Sequence, residues 1–297
     1  MTENSSKKRG WLRERKTVVL YKCFTFNNNS LAPLKDNCLF YNDAMGFNDP
    51  YDCNARLIKC TKSSAFSKFR RTPTEQENVV EKGIEKANKK GIICFSPRWD
   101  NILMWAHYGN SFRGFCLGIE FDLPVHKILP SLKESPLSEY KGVQYNYSDY
   151  NLKEVCYAQD DEFPSVDDVV SLADDDSEYY DAILYHKSKD WSYEQEVRLT
   201  CDKGKGVHPV PGIIKEVLFG MRMPIEQKRI LKKVIEKNNK DAFFFDTLAS
   251  DSKYVVERRP TEIDNDGAAN RGGIFSRTCQ FFQRLAGRFR TKGPKLQ

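Results

Sequence analysis

The sequence predicts an α+β fold, with a mixed, mainly antiparallel sheet and short helices in one main domain between basic tails. Three observations lead to this fold class. Apolar and β-branched runs indicate strands along the whole body of the chain. Helical patterns fall among them irregularly, which disfavours a regular alternation of strand and helix. The 297 residues, 40% of them hydrophobic, are enough to bury a core.

Short apolar runs bounded by turn residues define the predicted strands in chain order. The first, Val18–Phe24, combines β-branched and aromatic residues, and the later runs are similar in length and composition. We expect strands at 18–24, 38–41, 91–96, 115–121, 143–147, 194–200, 214–219, 242–245 and 254–257.

Capping signals and one amphipathic pattern predict the helices. A capping box predicts a helix at 75–90. Asp100 is expected to cap a short helix at 101–108, and a further helix is expected at 179–188. The last helix begins after Pro224, and its apolar stripe is expected to be buried. The stripe consists of Ile225, Ile230, Leu231, Val234 and Ile235.

Charge is distributed unevenly along the chain, although the net charge is +6. Residues 1–16 carry six bases and two acids, which predicts a basic disordered tail. Residues 160–181 carry ten acids and no base, and we expect this acidic insertion to be a solvated part of the single domain at 17–260. The overall basic charge therefore does not by itself indicate a nucleic-acid-binding protein.

The C-terminal segment at 267–297 carries seven bases and no acid. Within it, Arg277, Arg284 and Arg288 share one face of an amphipathic helical pattern, opposite an aromatic face. Such a segment predicts an anionic partner, either a nucleic acid or a membrane surface. The alternative is a helix that packs on the body of its own chain.

The sequence excludes several protein classes. It has nine cysteines but no CxxC pair, no secretory signal and no apolar run near 18 residues. These features predict a cytoplasmic protein with reduced thiols and no transmembrane segment. Because GxGxxG, Walker A, GxSxG and HExxH motifs are also missing, common nucleotide folds, serine hydrolases and zincins lose their main support.

A charged strand near residue 196 is the first candidate site. Alternation would place Glu194, Glu196 and Arg198 on one face, where two carboxylates could bind a metal or stabilise a developing cation. The preceding Trp191 and Tyr193 could supply a stacking wall. The alternative is a solvated sheet edge.

A short aromatic helix is the second candidate. His107 could act as a general acid or base, and Tyr108 could donate its hydroxyl or offer its ring as a platform, beside the aromatic Trp105. The alternative is a core helix whose histidine has a structural partner. The four histidines show no metal-ligand spacing, so no metal is predicted there.

The loop at 47–52 is the third candidate. Asn48, Asp49 and Asp52 bring oxygen-bearing side chains together, and the two aspartates could bind a cation or a ribose hydroxyl. The alternative is an ordinary Asx turn, because Asn-Asp-Pro initiates turns by local hydrogen bonding.

Several motifs of the chain occur in the same order as in a bacterial family, the domain of unknown function 2971, and the chain resembles that family for this reason. The resemblance covers about residues 18–258, and it implies a fold boundary and a candidate site without an established reaction. The acidic insertion is not part of the pattern. The motifs are Tyr21-Lys22, 47–52, 94–96, 103–108 with Gly114-Phe115, and 187–198.

A looser resemblance is to ADP-ribosyltransferase-like folds. These pair an early basic residue with a mid-chain aromatic or hydroxyl position and a late glutamate. The resemblance places Lys22, Ser96 or Tyr108, and Glu196 in these roles, with Glu194 completing an E-x-E arrangement. It implies that NAD is the substrate, that a carboxylate stabilises the oxocarbenium ion and that an aromatic ring stacks on nicotinamide.

Three hypotheses follow. The first is an NAD-consuming transferase or hydrolase, acting as a toxin or in phage defence, that holds its nucleotide without a metal. The second is a metal-dependent nuclease or phosphodiesterase. The third is a non-catalytic sensor or partner-binding module that acts through its basic tails. The first would use the candidate residues above, with Tyr21 added to the ligand-binding set, and the second would use Asp49, Asp52, Glu194 and Glu196.

Overall fold

Twelve strands form the framework of the fold in the computed structural model, which describes residues 15–54, 73–124, 150–159 and 183–263. The strands are β1 (Arg15–Phe24), β2 (Cys38–Tyr41), β3 (Gly91–Phe95), β4 (Phe115–Pro124), β5 (Tyr150–Glu154), β6 (Cys156–Ala158), β7 (His186–Ser188), β8 (Val197–Cys201), β9 (Gly206–Pro209), β10 (Ile213–Phe219), β11 (Phe243–Ala249) and β12 (Val256–Pro260). The α-helices are α1 (Asn28–Leu34), α2 (Pro73–Asn88), α3 (Ile102–His107) and α4 (Ile225–Glu236), and 3₁₀ helices span Ala44–Gly46 and Lys189–Glu194.

The strands form one five-stranded sheet and three smaller sheets. The large sheet has the order β1-β4-β10-β11-β12, and its only parallel pair is β10 with β11. This pair is connected through α4, as a parallel crossover requires. The order β3-β8-β5 is antiparallel, as is the pair β2-β9, whereas β6 and β7 are parallel. The predicted α+β class with mainly antiparallel sheets is therefore confirmed.

Two backbone bridges connect these sheets around β3. Tyr21 of β1 and Ser96, just after β3, exchange two N–H···O bonds of 2.8 Å. Asn42, just after β2, does the same with Ile92 at 2.7 and 2.9 Å. As a result β1, β2 and β3 lie side by side at their ends, and all three contribute to one cavity described below.

The core is centred on β4, which has neighbours on both sides. Every residue from Phe115 to Phe121 is buried, as expected for a central strand covered on both faces. Helix α4 adds Leu231 and Ile235, which are fully buried. The predicted five-residue stripe was too wide, because Ile225 and Ile230 are about half exposed, at 45% and 49%.

Two predicted elements differ from the structure near the candidate site. The strand expected at 194–200 begins only at Val197, because the 3₁₀ helix continues to Glu194 and ends at Gln195 in the left-handed conformation. The helix expected at 179–188 is wrong at its end, since residues 186–188 pair with β6 as a strand. Tertiary pairing overrides the local helical preference there.

Helix α3 is confirmed, but its cap was assigned to the wrong residue. The Asn101 side chain accepts the backbone N–H groups of Leu103 and Met104, at 3.0 and 3.4 Å. The expected cap, Asp100, instead accepts two hydrogen bonds from the Arg98 guanidinium. A carboxylate held by arginine in this way does not reach the helix.

Every element above lies in a compact unit that ends at Thr261. A second unit begins at Glu262, of which the structure describes only Glu262 and Ile263. The strand predicted at 143–147, the acidic insertion at 160–181, most of the tail at 1–16 and the segment 267–297 lie outside the described residues. In the described part of the chain, no helix is long and apolar enough to cross a membrane.

Candidate functional site

A cavity of about 1030 Å³ opens where the ends of β1, β2 and β3 meet helices α1 and α3. Five charged side chains are packed at its base, and we call them the cavity cluster. Four of these five line the cavity, and the fifth, Arg198, lies behind them with no exposed surface. The cavity cluster consists of Asp52, Lys187, Glu194, Glu196 and Arg198.

Arg198 holds three separate parts of the chain together. Its Nη2 donates to both carboxylate oxygens of Asp52 at 3.1 Å, and its Nε donates to Oε1 of Glu196 at 2.7 Å. Its Nη1 donates to the carbonyl oxygen of Leu184 at 2.6 Å, and the Phe47 ring lies 5.0 Å from the guanidinium. A buried arginine needs such complete pairing, because an unpaired buried charge is very costly.

Lys187 is the second cation of the cavity cluster. Its Nζ lies 2.6 Å from Oε2 of Glu194, 3.3 Å from Oε2 of Glu196 and 3.4 Å from Oδ2 of Asp52. The Trp191 ring covers it at 4.9 Å from Nζ to the ring centroid. Burial lowers the pKa of Lys187, but the three carboxylates outweigh that effect and raise it, so the ammonium stays charged.

Glu194 has a different environment from Glu196. Its Oε1 accepts the Tyr108 hydroxyl at 2.6 Å, and its Oε2 accepts only Lys187. Asn48 in turn donates a side-chain hydrogen bond to Tyr108. Burial and the hydrogen bond to Glu194 raise the pKa of Tyr108, so its hydroxyl remains protonated and points its hydrogen at the carboxylate.

Glu196 is fixed mainly by Arg198. The guanidinium donates to both of its carboxylate oxygens, at 2.7 and 3.0 Å, and its backbone N–H donates to the Tyr157 hydroxyl at 2.7 Å. Burial raises the pKa of this carboxyl, but Arg198 and then Lys187 overcome that effect and hold it at about 2. Both carboxylate oxygens of Glu196 are therefore occupied by cationic partners.

The cavity cluster carries an excess of negative charge. Three carboxylates face two cations, so one negative charge remains without a partner inside the cluster. Lys22 adds a separate cation on the β1 wall, where its Nζ donates to the carbonyl oxygen of Cys94 at 3.3 Å. The cavity therefore combines an anionic base with a cationic wall.

Two residues beside the cavity cluster adopt left-handed backbone conformations. Gln195, between the two glutamates, has φ 47°, and Cys53, next to Asp52, has φ 56°. Each costs free energy for a residue with a side chain. Because Gln195 breaks the strand alternation, Glu194 and Glu196 both reach Lys187 without lying on one strand.

The structure brings six of the predicted site residues to the cavity. His107 is exposed at its edge, and its ring lies 6.3 Å from that of Tyr193 and 6.5 Å from that of Trp191. The six are Lys22, Asn48, His107, Tyr108, Glu194 and Glu196.

Four other predicted site residues act as supports close to the cavity or the loop beside it. Arg198 and Trp191 hold the cavity cluster, as described above. The Tyr193 carbonyl accepts the Asn101 side chain at 2.5 Å, which ties the 3₁₀ helix to α3. Asp49 accepts the backbone N–H of Tyr51 at 2.8 Å, so it forms the Asx turn that was the alternative interpretation of this loop.

Three predicted ligand-binding residues lie in the interior, away from the cavity lining. Trp105 is fully buried, and its Nε1 donates to the Trp99 carbonyl at 2.7 Å. Tyr21 is buried in the same apolar cluster as Trp105. Ser96 is 1% exposed and pairs with Tyr21 through the backbone. Trp105 is a core side chain, as the alternative interpretation of its helix stated.

Sequence reasoning missed Lys187 as a site residue, and it considered Asp52 as a ligand of a cation or a ribose hydroxyl but not as the partner of Arg198. Lys187 stands in a quoted motif, but its contacts depend on the meeting of β7 with the 3₁₀ helix. The four carboxylates of the metal hypothesis do not form a metal site. Asp49 is used in its turn, and the other three already bind ammonium and guanidinium groups. Over the described ranges, no group of three or more His, Cys, Asp or Glu side chains could hold a metal ion.

The fold and the site define the chain as an α+β protein with a ligand-sized cavity over a buried ionic cluster. Residues 104–199 match the family described as "Protein of unknown function (DUF2971)". This match supports the resemblance to that family over these residues, and the matched range includes every member of the cavity cluster except Asp52. Comparison with curated proteins and with solved structures gave no match.

Proposed function

We propose that the chain is an enzyme that binds NAD in the cavity and breaks the bond between nicotinamide and ribose. The ADP-ribosyl group would pass to water or to an acceptor. The observation that carries this proposal is the Glu194 carboxylate, which lines the cavity and has one tyrosine and one lysine as its partners. Glu194 belongs to the cavity cluster, in which three carboxylates face two cations.

This chemistry develops positive charge on the ribose. When the C–N glycosidic bond breaks, its electron pair stays on the nicotinamide nitrogen, and an oxocarbenium-like cation forms on the sugar. A fixed carboxylate stabilises that cation in a site that excludes water. The attacking hydroxyl then forms the new bond to the ribose carbon and gives up its proton.

Glu194 fits the role of the stabilising carboxylate better than Glu196. Glu196 accepts both arms of the Arg198 guanidinium, so its charge is already neutralised. Glu194 shares Lys187 with two other carboxylates and otherwise has only the Tyr108 hydroxyl. We therefore assign Glu194 to the reacting centre, and Lys187, Tyr108 and Arg198 to positioning.

The remainder of the cavity suits a dinucleotide. Its volume of about 1030 Å³ is at the upper end of the range for sites that enclose small-molecule ligands. Phe24 and Phe40 offer rings for stacking on flat bases, and the side chains of 27–29 offer amides for ribose and base. Lys22 supplies a cation for the diphosphate, while the anionic base suits the positively charged nicotinamide ring.

The test is release of nicotinamide from NAD by the purified full-length chain, followed by chromatography. We expect release by the native protein and a loss of about 100-fold in Glu194→Gln, the order of effect seen when one charge-stabilising group is removed. Glu226→Gln is the matched control, because Glu226 is exposed on α4 and pairs with Arg229 one turn along the same helix. It should retain the native rate.

Two results would refute the proposal. One is no nicotinamide release by the native protein, and the other is equal release by Glu194→Gln and the native chain. Far-ultraviolet circular dichroism and thermal unfolding of each variant show whether the loss reflects chemistry or misfolding. Depletion of NAD in cells that produce the native chain, but not Glu194→Gln, would support a toxin or phage-defence role.

A further inference from the structure

We infer that Cys23 and Cys116 form a peroxide-sensitive thiol pair that closes to a cross-strand disulfide between β1 and β4. The two residues are direct partners in the antiparallel register of these strands. Their thiols are hydrogen-bonded to each other, and both side chains pack in one apolar cluster with Tyr21 and Trp105. This inference is independent of the proposed NAD chemistry.

The backbone hydrogen bonds decide whether the register permits a disulfide. Antiparallel partners alternate between hydrogen-bonded pairs and non-hydrogen-bonded pairs, and the Cα atoms are closer in the latter, at about 4.5 Å. Tyr21 uses both its N–H and its C=O to bond Ser96, on the side away from β4. The pair of Tyr21 with Gly118 is therefore non-hydrogen-bonded.

Cys23 lies two residues after Tyr21 on β1, so it has the same position in this alternation. The pair of Cys23 with Cys116 is thus also non-hydrogen-bonded, and its expected Cα separation of about 4.5 Å lies within the 4.4–6.8 Å usual for disulfides. No other two cysteines are direct partners in the strand registers of the described residues.

Access to solvent gives the two sulfurs different roles. Cys23 is half-buried and lies among the cavity-lining residues, whereas Cys116 is fully buried. Burial raises the pKa of Cys116 well above its ordinary value, followed by the hydrogen bond to Cys23. The reaction therefore begins at Cys23, and Cys116 is the second, resolving thiol.

A peroxide supplies the oxidising equivalents. The O–O bond breaks as the Cys23 sulfur takes one oxygen, which gives a sulfenic acid and one water. The Cys116 sulfur then attacks the Cys23 sulfur, the S–S bond forms, and the leaving hydroxide takes the thiol proton as a second water. Two thiols lose two electrons in total, and one peroxide gains them.

The disulfide would fix a wall of the cavity. Lys22 and Phe24, on either side of Cys23, both line the cavity. A covalent link from Cys23 to the central strand β4 would hold this part of β1 against the core. Oxidation of the pair would thereby stiffen the wall that carries the Lys22 ammonium.

The experiment treats the full-length native chain with hydrogen peroxide, blocks the remaining thiols and digests it with trypsin without reductant. Cleavage after Lys22, Lys35, Arg113 and Lys127 would give peptides 23–35 and 114–127, each with one cysteine. We expect these two peptides to be joined and to separate on reduction. Before the thiols are blocked, the intact oxidised chain should be lighter than the reduced chain by two hydrogen atoms. The midpoint of thermal unfolding should rise on oxidation and return on reduction.

Cys38→Ser is the matched control for Cys23→Ser. Both cysteines are half-buried residues on strands, and Cys38 has no cysteine opposite it. The joined peptides should persist in Cys38→Ser and vanish in Cys23→Ser. The inference is overturned if the folded native chain yields no joined pair while other cysteines are oxidised, or if Cys23 is joined to a different cysteine. Neither result depends on NAD turnover.

Discussion

Two ionic clusters of the described residues, one buried and one partly buried, differ in charge balance. The cavity cluster has three carboxylates and two cations, whereas the second cluster has one of each. In the second, which we call the sheet cluster, Arg258 and the Tyr21 hydroxyl both donate to Glu216. The rings of Trp99 and Phe245 cover the guanidinium at 4.8 and 4.5 Å.

The difference distinguishes a structural ion pair from the cluster for which we propose a function. The sheet cluster joins β1, β10 and β12 of the large sheet, is neutral as a whole and contributes nothing to the cavity lining. The cavity cluster keeps one excess negative charge beside an open space, which costs stability unless a positive group binds there. Unbalanced buried charge is thus the feature that points to function.

The largest expected effect is a loss of stability when either of the two arginines is replaced. Arg198→Met should lower the free energy of unfolding by about 3–5 kcal/mol, because it leaves Asp52 and Glu196 without their main partner. Arg258→Met should cost less, about 1.5–3 kcal/mol, since the side chain of Arg258 is 28% exposed and only Glu216 loses a charged partner. Urea unfolding measures both. Equal losses would remove the distinction between the clusters.

The next effect is a pH dependence of stability from the cavity cluster. The folded pKa of Glu196 is about 2, below the value of about 4.3 in an unfolded chain. The resulting stabilisation, on the order of 3 kcal/mol, is present above pH 4.3 and is lost as the pH falls towards 2.

Urea unfolding between pH 7 and pH 3 measures this loss. Glu196→Gln should be less stable at neutral pH and should show a shallower decline below pH 5. Glu226→Gln, which changes an exposed glutamate, should keep the native slope. If the free energy of unfolding of Glu196→Gln falls with pH as steeply as that of the native chain, another carboxyl group is responsible for the acid sensitivity.

Each cluster has one tyrosine that donates to a carboxylate, so a smaller matched comparison is available. Tyr108 donates to Glu194 at 2.6 Å, and Tyr21 donates to Glu216 at 2.8 Å. Tyr108→Phe and Tyr21→Phe should each lower stability by about 1 kcal/mol. Only Tyr108→Phe should slow nicotinamide release, by about tenfold, which corresponds to about 1.4 kcal/mol. A similar slowing in Tyr21→Phe would contradict this separation of roles.

The smallest expected effect concerns the backbone of the cavity cluster. Gln195 has φ 47°, a conformation that glycine adopts without the steric cost borne by other residues. Gln195→Gly should raise the free energy of unfolding by up to about 1 kcal/mol, because it removes that cost and loses only chain entropy. Gln195→Ala keeps the Cβ and should bring no gain. A clear destabilisation by glycine would mean that the Gln195 side chain itself holds the glutamates.

Much of the fold was predictable because its strands carry strong local signals. The β-branched run of β1 and the apolar run of β10 were both identified, and β2 was predicted at Cys38–Tyr41, the bounds that the structure gives. The strand at 194–200 was placed too early, because nothing in the sequence indicates that Gln195 is left-handed. The end of the helix at 179–188 was wrong because β6 recruits residues 186–188 as a strand.

The candidate site was only partly predictable for a similar reason. Its glutamates, Tyr108 and Arg198 stand in conspicuous short motifs, so the sequence alone could identify them. The pairing of Asp52 with Arg198 spans 146 positions and has no local signal. Trp105 shows the opposite case. Its aromatic motif suggested a ligand-binding residue, but its side chain is fully buried in the core. Motifs identify the chemical groups, and the tertiary structure decides which groups meet.

The distance along the chain between Asp52 and Arg198 also has a consequence for protein synthesis. A ribosome that adds about 5–20 residues per second needs roughly 7–30 seconds to pass from one residue to the other. Throughout this interval the loop that carries Asp52 lacks its guanidinium partner, and the two glutamates are added only just before Arg198. A nascent chain therefore cannot assemble the cavity cluster until roughly two thirds of it has been translated, so shorter chains lack the groups that we assign to the proposed reaction.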